Sequence, residues 1–345
     1  MRVVIGMAAI KKAVGLLYQQ CSAEICQQIK LELTNRCSDI EIRADVAVDS
    51  KDPIEINDED REKLQSVEIL LVEVPVFLRC SFQFTNLKWL QCLSAGVDAL
   101  TRNVTVSHLP EYVVTRDGVS FPDHVAQYVL GVILARERHL IEHHHSHQVK
   151  LWHPLHHGDL STLSLGILGV GVIGKRIAEI VKMCLKMTVW GFVRTLPTPK
   201  SRCSSVDEYR TIEQLPELLS KCDYVCSVLP SIWETDGFLD GEVLSHCQHK
   251  KSVLINVGRG NVIKNSTITR ALNEGWLSHA ILDVFEKEPL PADSELWTDP
   301  RVTITPHIAG YDINCPKFVD EFCANFQRYK SNQPMTYVVD WMKGY

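Results

Sequence analysis

The sequence predicts an α/β protein of two domains built on parallel sheet. Three observations carry that expectation. A glycine-rich turn at residues 169–174 sits between a strand-like and a helix-like segment. Strand and helix patterns alternate from residue 160 to about residue 310, which argues for a parallel sheet covered on both faces. The chain has 345 residues, enough for two separate cores.

Composition narrows the class. Hydrophobic residues make up 45% and charged residues 23%, the balance of a globular protein rather than a disordered one. The net charge of −6 gives no global basic field, so nucleic acid is not an expected partner. No apolar run approaches the roughly 20 residues of a membrane span, so no membrane partner is expected either. The twelve cysteines contain no C-x-x-C pair and read as reduced thiols of a cytoplasmic protein. Residues 1–23 hold Arg2, Lys11 and Lys12 and no acid, which leaves a mitochondrial presequence open. The simpler reading is a first strand at residues 2–5 followed by a helix.

Residues 1–120 read as a small α/β unit. Residues 67–72 and Val113 with Val114 are strand-like. Residues 87–93 run into Ser94, Ala95, Gly96, Val97 and Asp98, a turn whose successive N–H groups could form an anion nest. Most such segments are plain turns. Residues 122–138 form an amphipathic helix with Pro122 at its start. Behind it, eight of the fourteen histidines fall between His139 and His157. Metal binding is one reading. With no Asp, Glu or Cys at ligand spacing, a solvated helix end and loop is the expectation, and no metal site is assigned.

The glycine-rich turn comes next. A strand at 161–168 leads into Gly169-Val170-Gly171-Val172-Ile173-Gly174, and a helical pattern follows. Gly169 permits the tight turn, Gly171 lets a pyrophosphate approach the backbone, and Gly174 lets helix and strand pack closely. The phosphates would lie on the helix N-terminus, at Val172 and Ile173, where N–H groups are unpaired and the dipole is positive. Further strands are expected at 187–192, 223–228, 252–257 and 279–284, with helices at 212–220 and 267–276 between them. Residues 315–328 read as a tail helix that could pack on the first unit and make it discontinuous.

An acidic residue about 20 positions beyond the glycines grips the ribose of NAD. Here the second strand runs into Gly191, Phe192, Val193, Arg194 and Thr195, with no carboxylate available. Arg194 and Thr195 stand where a 2′-phosphate would be held, so NADP(H) is favoured and NAD(H) kept as the alternative. Arg194 also has a plain reading as a surface arginine.

Three downstream stretches supply the chemistry. They are residues 256–260 with Arg259, residues 282–291 with Glu288, and residues 302–309 with His307. Ligands of open parallel sheets bind outside the carboxyl ends of the strands, and each of the three would reach that rim. Hydride arriving at a keto carbon leaves charge on the oxygen. Arg259 suits its polarisation and the adjacent carboxylate. His307 suits its protonation, and Glu288 would orient the imidazole and favour its charged form. Taken singly, they read as a loop cation, a helix-start charge and a turn residue.

These stretches, with residues 94–98, the glycine turn, Leu229-Pro230, Glu234-Thr235 and residues 301–307, resemble the D-isomer-specific 2-hydroxyacid dehydrogenases. Trp152-His-Pro-Leu155 and Lys343-Gly-Tyr345 look like the branch that reduces glyoxylate and hydroxypyruvate. The resemblance implies two Rossmann-like domains with parallel sheets and an active site in the interdomain cleft. It implies a flavodoxin-like substrate-binding domain of residues 1–120 and 312–345, and an NAD(P)-binding domain of residues 121–311. It implies NAD(P)H-dependent reduction of a small 2-oxo acid to the D-2-hydroxy acid, with His307 as proton donor, Glu288 as its partner and Arg259 on the substrate. Ala95, Gly96 and Val97 would hold the substrate carboxylate, and Val74 and Trp152 would line the substrate. Leu229, Pro230, Val257, Gly258 and Asp283 would meet the cofactor, Asp283 at the nicotinamide carboxamide. A homodimer through an arm at about 122–155 is implied as well. Gly258 stands where alanine is usual, which reads as a small change. Two rivals are kept: a nucleotide-sensing corepressor-like protein of the same fold, and an NAD-dependent phosphoglycerate-type dehydrogenase.

Overall fold

Residues 13–18 are buried without a break. Such a run suits a strand enclosed on both faces, and it forms β1 (Lys12–Gln19). The computed structural model describes residues 11–49, 54–102, 109–310 and 313–345. The strand expected at residues 2–5 lies outside them. The helix expected directly after it is corrected: that stretch is β1, and the helix begins only at Ala23. A short continuous apolar run does not distinguish a buried strand from a buried helix by periodicity.

The chain divides into two units, Met1–Ser120 with Ile313–Tyr345, and Phe121–Asp312. In the first, β1 is followed by α1 (Ala23–Arg36), β2 (Ile40–Val48), α2 (Asp58–Ser66) and β3 (Ile69–Val72). Then come α3 (Val74–Arg79), β4 (Trp89–Cys92), α4 (Asp98–Arg102) and β5 (Val113–Thr115). The sheet order is β2-β1-β3-β4-β5, and every pair is parallel. That is the flavodoxin-like order. The tail helix α10 (Cys315–Lys330) starts on Asn314, whose side chain accepts the Lys317 N–H, and carries Pro in its first turn. Phe318, Phe322 and Phe326 recur every four residues and bury one helical face against Val14, Leu16 and Trp89. Phe322 stacks on Trp89 at 4.9 Å between centroids.

The second unit begins with α5 (Phe121–Glu137) and α6 (Leu140–Gln148), then β6 (Ser164–Leu168), α7 (Val172–Leu185) and β7 (Thr188–Phe192). It continues through β8 (Glu208–Arg210), α8 (Leu215–Lys221), β9 (Tyr224–Ser227) and β10 (Ser252–Asn256). It closes with α9 (Asn265–Asn273), β11 (Leu277–Leu282) and β12 (Val302–Ile304). The seven strands lie in the order β12-β11-β10-β9-β6-β7-β8, all parallel. The strand order reverses between β6 and β9, the switch point where such sheets bind ligands. α5 and α7 cover one face through Val125, Val129, Ile177 and Val181. α8 and α9 cover the other through Leu218, Leu219, Ile268 and Leu272.

Besides β1, four strands were not expected: β2, β4, β8 and β12. In the histidine-rich stretch, α6 carries four of the histidines and buries no residue, so this part is a solvated helix. An acid does stand at ligand spacing there, because Glu142 lies 3.9 Å from His139. Among the described residues no three His, Cys, Asp or Glu side chains converge as a metal site. The eleven cysteines whose side chains are described are free thiols. No described helix is long and apolar enough to cross a membrane.

Phe322→Ala should cost about 3–5 kcal/mol through the cavity left beneath Trp89. Urea unfolding followed by tryptophan fluorescence measures it. An unchanged midpoint would show that the tail helix does not hold up the sheet.

Candidate active site

The glycine turn closes β6 onto α7. Gly169 has φ +103°, where a side chain would be strained. A Cβ on Gly174 would come within 2.1 Å of the Gly169 carbonyl oxygen, so helix and strand pack too closely for any other residue. A Cβ on Gly171 would meet nothing within 4 Å, so the surface over it is open. Gly171 is the N-cap of α7, no side chain caps the helix, and its first turn holds no acid. The turn therefore presents unscreened N–H groups and the positive end of a helix of 14 residues to an open space. The residues present fit a dinucleotide pyrophosphate.

Arg194 and Thr195 follow β7 and are exposed. No carboxylate directly follows β7 in sequence, as expected, but Glu234 Oε1 reaches within 3.6 Å of Arg194 Nη2. The partner comes from a loop 40 positions away, which sequence proximity could not reveal. Leu229 is buried, and the Pro230 carbonyl accepts the Thr235 hydroxyl at 2.5 Å. A Cβ on Gly258 would sit 2.8 Å from the Leu229 carbonyl oxygen and 2.9 Å from its nitrogen. Glycine here is thus a demand of the close backbone approach, not the small change read from the sequence. Val257 donates its N–H to the Ser227 carbonyl and continues the β10 edge.

The ends of β10, β11 and β12 bring the three chemical residues together. Asn256, 1% exposed, brackets the turn after β10: its amide donates to the Arg259 carbonyl and its oxygen accepts the Gly258 N–H. Gly260 presses on the backbone of Phe285, where a Cβ would fall 1.9 Å from the carbonyl. That contact sets the Arg259 turn against the loop that carries Glu288. Glu288 is fixed at both oxygens. Oε1 accepts the Phe285 N–H at 2.9 Å, and Oε2 lies 2.7 Å from His307 Nδ1.

The charges follow from this geometry. Burial would raise the Glu288 carboxyl, but the His307 and Phe285 hydrogen bonds and the nearby Arg259 charge hold it below its ordinary range. His307 is raised, first by its hydrogen bond to Glu288, against burial and the Arg259 charge. Arg259 acts on both partners, so all three share one locus. With Nδ1 held by the carboxylate, Nε2 is the ring atom left for proton transfer. The side chain of His307 is 52% exposed, so that atom can meet a ligand.

His307 itself sits at φ +56°, the left-handed region. Asp283, at 2% exposure, holds it there. The Asp283 carbonyl accepts the His307 N–H at 2.8 Å. Its carboxylate accepts the Ile308 and Ala309 N–H groups, each at 2.9 Å, and the Thr305 hydroxyl at 2.6 Å. Sequence reasoning gave Asp283 to the cofactor; the structure commits most of its hydrogen-bonding capacity to the loop that carries His307. Tyr128, whose hydroxyl lies 2.7 Å from that of Thr305, was not anticipated. Nothing in the sequence links α5 to residue 305.

The remaining candidates lie on other elements of the chain. Ala95, Gly96 and Val97 belong to the first unit, between β4 and α4. Their N–H groups donate to no acceptor among the described residues, while Ser94 Oγ donates to the Gly96 carbonyl at 2.7 Å. Such a loop can take a carboxylate. Val74 opens α3 with its side chain buried in the core of that unit. Trp152 lies beyond α6 and is 97% exposed.

Comparison with known proteins shows what the chain is similar to. The sequence profile of the D-isomer specific 2-hydroxyacid dehydrogenase NAD binding domain matches residues 130–309. The glyoxylate/hydroxypyruvate reductase A of Yersinia enterocolitica is 31% identical over 268 residues, 75% of this chain and 82% of that one. The protein of that name from Serratia proteamaculans is 32% identical over 266 residues, again 75% and 82% of the two chains. Among solved structures, a D-isomer specific 2-hydroxyacid dehydrogenase family protein from Aeromonas salmonicida superposes with a TM-score of 0.79 at 29% identity, over 96% of this chain and 99% of that one. One from Xanthobacter autotrophicus Py2, in complex with NADPH and MES, gives 0.78 at 28% identity, over the same shares.

The pairing of His307 with Glu288 can be tested on the free protein. The His307 imidazole should keep its proton to a higher pH than an ordinary histidine, and Glu288→Gln should move its titration to lower pH. NMR titration of labelled histidine measures both. A titration that does not move in the variant would remove Glu288 as the cause.

Proposed function

Because the chain belongs to the D-isomer specific 2-hydroxyacid dehydrogenase family, we propose that it reduces a 2-oxo acid of the glyoxylate or hydroxypyruvate type to the D-2-hydroxy acid, with NADPH as its preferred donor. One observation carries the proposal. A carboxylate-backed imidazole with its second nitrogen available lies in the field of an arginine, on the carboxyl edge of a sheet whose glycine turn is open to a pyrophosphate.

The roles follow from chemistry. The Arg259 guanidinium draws charge onto the keto oxygen and binds the adjacent carboxylate. Charged His307 gives the proton on Nε2 to that oxygen, and Glu288 stabilises the imidazolium and sets its plane. The N–H groups of Ala95, Gly96 and Val97 are suited to a substrate carboxylate. The first turn of α7 would hold the pyrophosphate, and the bound nicotinamide supplies the hydride. Two features support NADPH. Arg194 and Thr195 are exposed just beyond β7, and a solved relative was crystallised with NADPH. The named relatives are reductases of glyoxylate and hydroxypyruvate, which favours turnover over the corepressor-like and phosphoglycerate-type rivals.

The deciding experiment is a panel of glyoxylate, hydroxypyruvate and phenylpyruvate with each cofactor. Reduction requires charged His307. The reductive kcat/KM should therefore be full below the His307 pKa and fall as pH rises through it. His307→Ala should lose about 10²–10⁴ in kcat while NADPH still binds; near-normal turnover would overturn the proton assignment. Arg194→Ala should raise KM for NADPH much more than KM for NADH. Equal effects would take Arg194 out of the cofactor site.

A further inference from the structure

The loop that carries His307 is tied to a helix on the face of the sheet by a chain of two hydroxyls. Thr305 Oγ donates its one hydrogen to Asp283 Oδ1 at 2.6 Å. The hydrogen between Thr305 and Tyr128, 2.7 Å apart, must then come from Tyr128. The direction is therefore fixed: Tyr128 donates to Thr305, and Thr305 donates to Asp283. Burial pushes the Tyr128 hydroxyl up to about 12, so it keeps that proton at any working pH. Asp283 passes the constraint on, since its carboxylate takes the two N–H groups after His307 and its carbonyl takes the N–H of His307.

We propose that Tyr128 and Thr305 are positioning residues for His307, acting through Asp283, and this rests on the reading of His307 as the proton donor. Neither hydroxyl is hydrogen-bonded to the imidazole. Their work is to hold the Asp283 carboxylate in the one orientation that serves both N–H groups. Released from Thr305, the carboxylate can rotate, the left-handed turn at His307 relaxes, and the 2.7 Å contact between Nδ1 and Glu288 lengthens. The imidazole then loses both its aim and the main cause of its raised pKa. A purely structural role predicts something else: a lower melting temperature with the His307 titration unmoved.

The test uses Tyr128→Phe, Thr305→Val and Thr305→Ser in the full chain. Histidine titration by NMR, kcat, KM and NADPH binding are measured for each. Thr305→Val should lower kcat by about 10- to 150-fold, the worth of one hydrogen bond to a charged group, with NADPH binding unchanged. It should also move the His307 titration down towards the ordinary histidine value. Thr305→Ser, which keeps the hydroxyl, should restore both. Tyr128→Phe should move both in the same direction by less. If Thr305→Val does not fold, the titration of Tyr128→Phe decides. A His307 titration and kcat unmoved by these variants, with only stability lost, overturns the proposal. If wild type turns over no 2-oxo acid with either cofactor, the functional reading fails, and the titration alone still decides whether the two hydroxyls govern His307.

Discussion

The second unit depends on one constraint: seven parallel strands must all end at the same edge. β6, β9, β10, β11 and β12 stop at Leu168, Ser227, Asn256, Leu282 and Ile304. The residues just beyond each stop, from Gly169 through Pro230, Arg259 and Asp283 to His307, are therefore gathered at that edge although 138 positions of sequence separate the first from the last. No side chain has to reach far. Glu288 lies on a longer loop, yet it is brought in by backbone packing, the Gly260 turn pressing on Phe285. The parallel sheet does the gathering, and the loops only aim what it delivers.

Aiming has a cost, and it is met locally. A non-glycine residue in the left-handed region costs about 1–3 kcal/mol. His307 bears that strain. Hydrogen bonds to a charged acceptor contribute about 1.5–3 kcal/mol each, and the Asp283 carboxylate accepts three in this loop. The clamp outweighs the strain even at the low end of both ranges. Thr305, Ile308 and Ala309 flank the histidine on either side, so the bonds secure the chain at both ends of the strained residue. The imidazole is left half exposed but with little freedom, the condition for a group that must hand over a proton in one direction.

The sequence was most legible where pattern and chemistry coincide. Residues 161–168 read as a strand because an apolar run stops at a glycine turn, and the observed strand is the shorter Ser164–Leu168. The grouping of Arg259, Glu288 and His307 was legible because expected strands precede the first two and all three residue types suit reduction of a keto acid; the strand that delivers His307, β12, was not read. What escaped was of two kinds. Lys12–Gln19 was read as helix because an uninterrupted apolar run carries no period. Tyr128 with Thr305, Arg194 with Glu234, and Gly258 with Leu229 escaped because each is a contact between segments distant in sequence. Motif spacing places a residue at the rim, but it does not say which lone pairs are already spent there. Asp283 is the clearest instance, a carboxylate whose position was legible and whose local commitments were not.

The pair Arg194 and Glu234 bears on how one site could prefer a phosphorylated ribose. The two groups are 3.6 Å apart and about half exposed, beyond the reach of a strong hydrogen bond and open to solvent. Such a pair is worth about 0–1 kcal/mol, so a ligand displaces it at little cost. A phosphate monoester carries about −1.5 to −2 charges and three acceptor oxygens, against one negative charge on the carboxylate. On the proposed reading the arginine therefore exchanges a weak partner for a stronger one when a 2′-phosphate arrives. A bare ribose gives it nothing to exchange for. Glu234 then has a second consequence: with Arg194 removed, its charge would be left facing the phosphate, so loss of the arginine penalises the phosphorylated cofactor twice. Discrimination would come from a competition inside the protein as much as from attraction to the ligand.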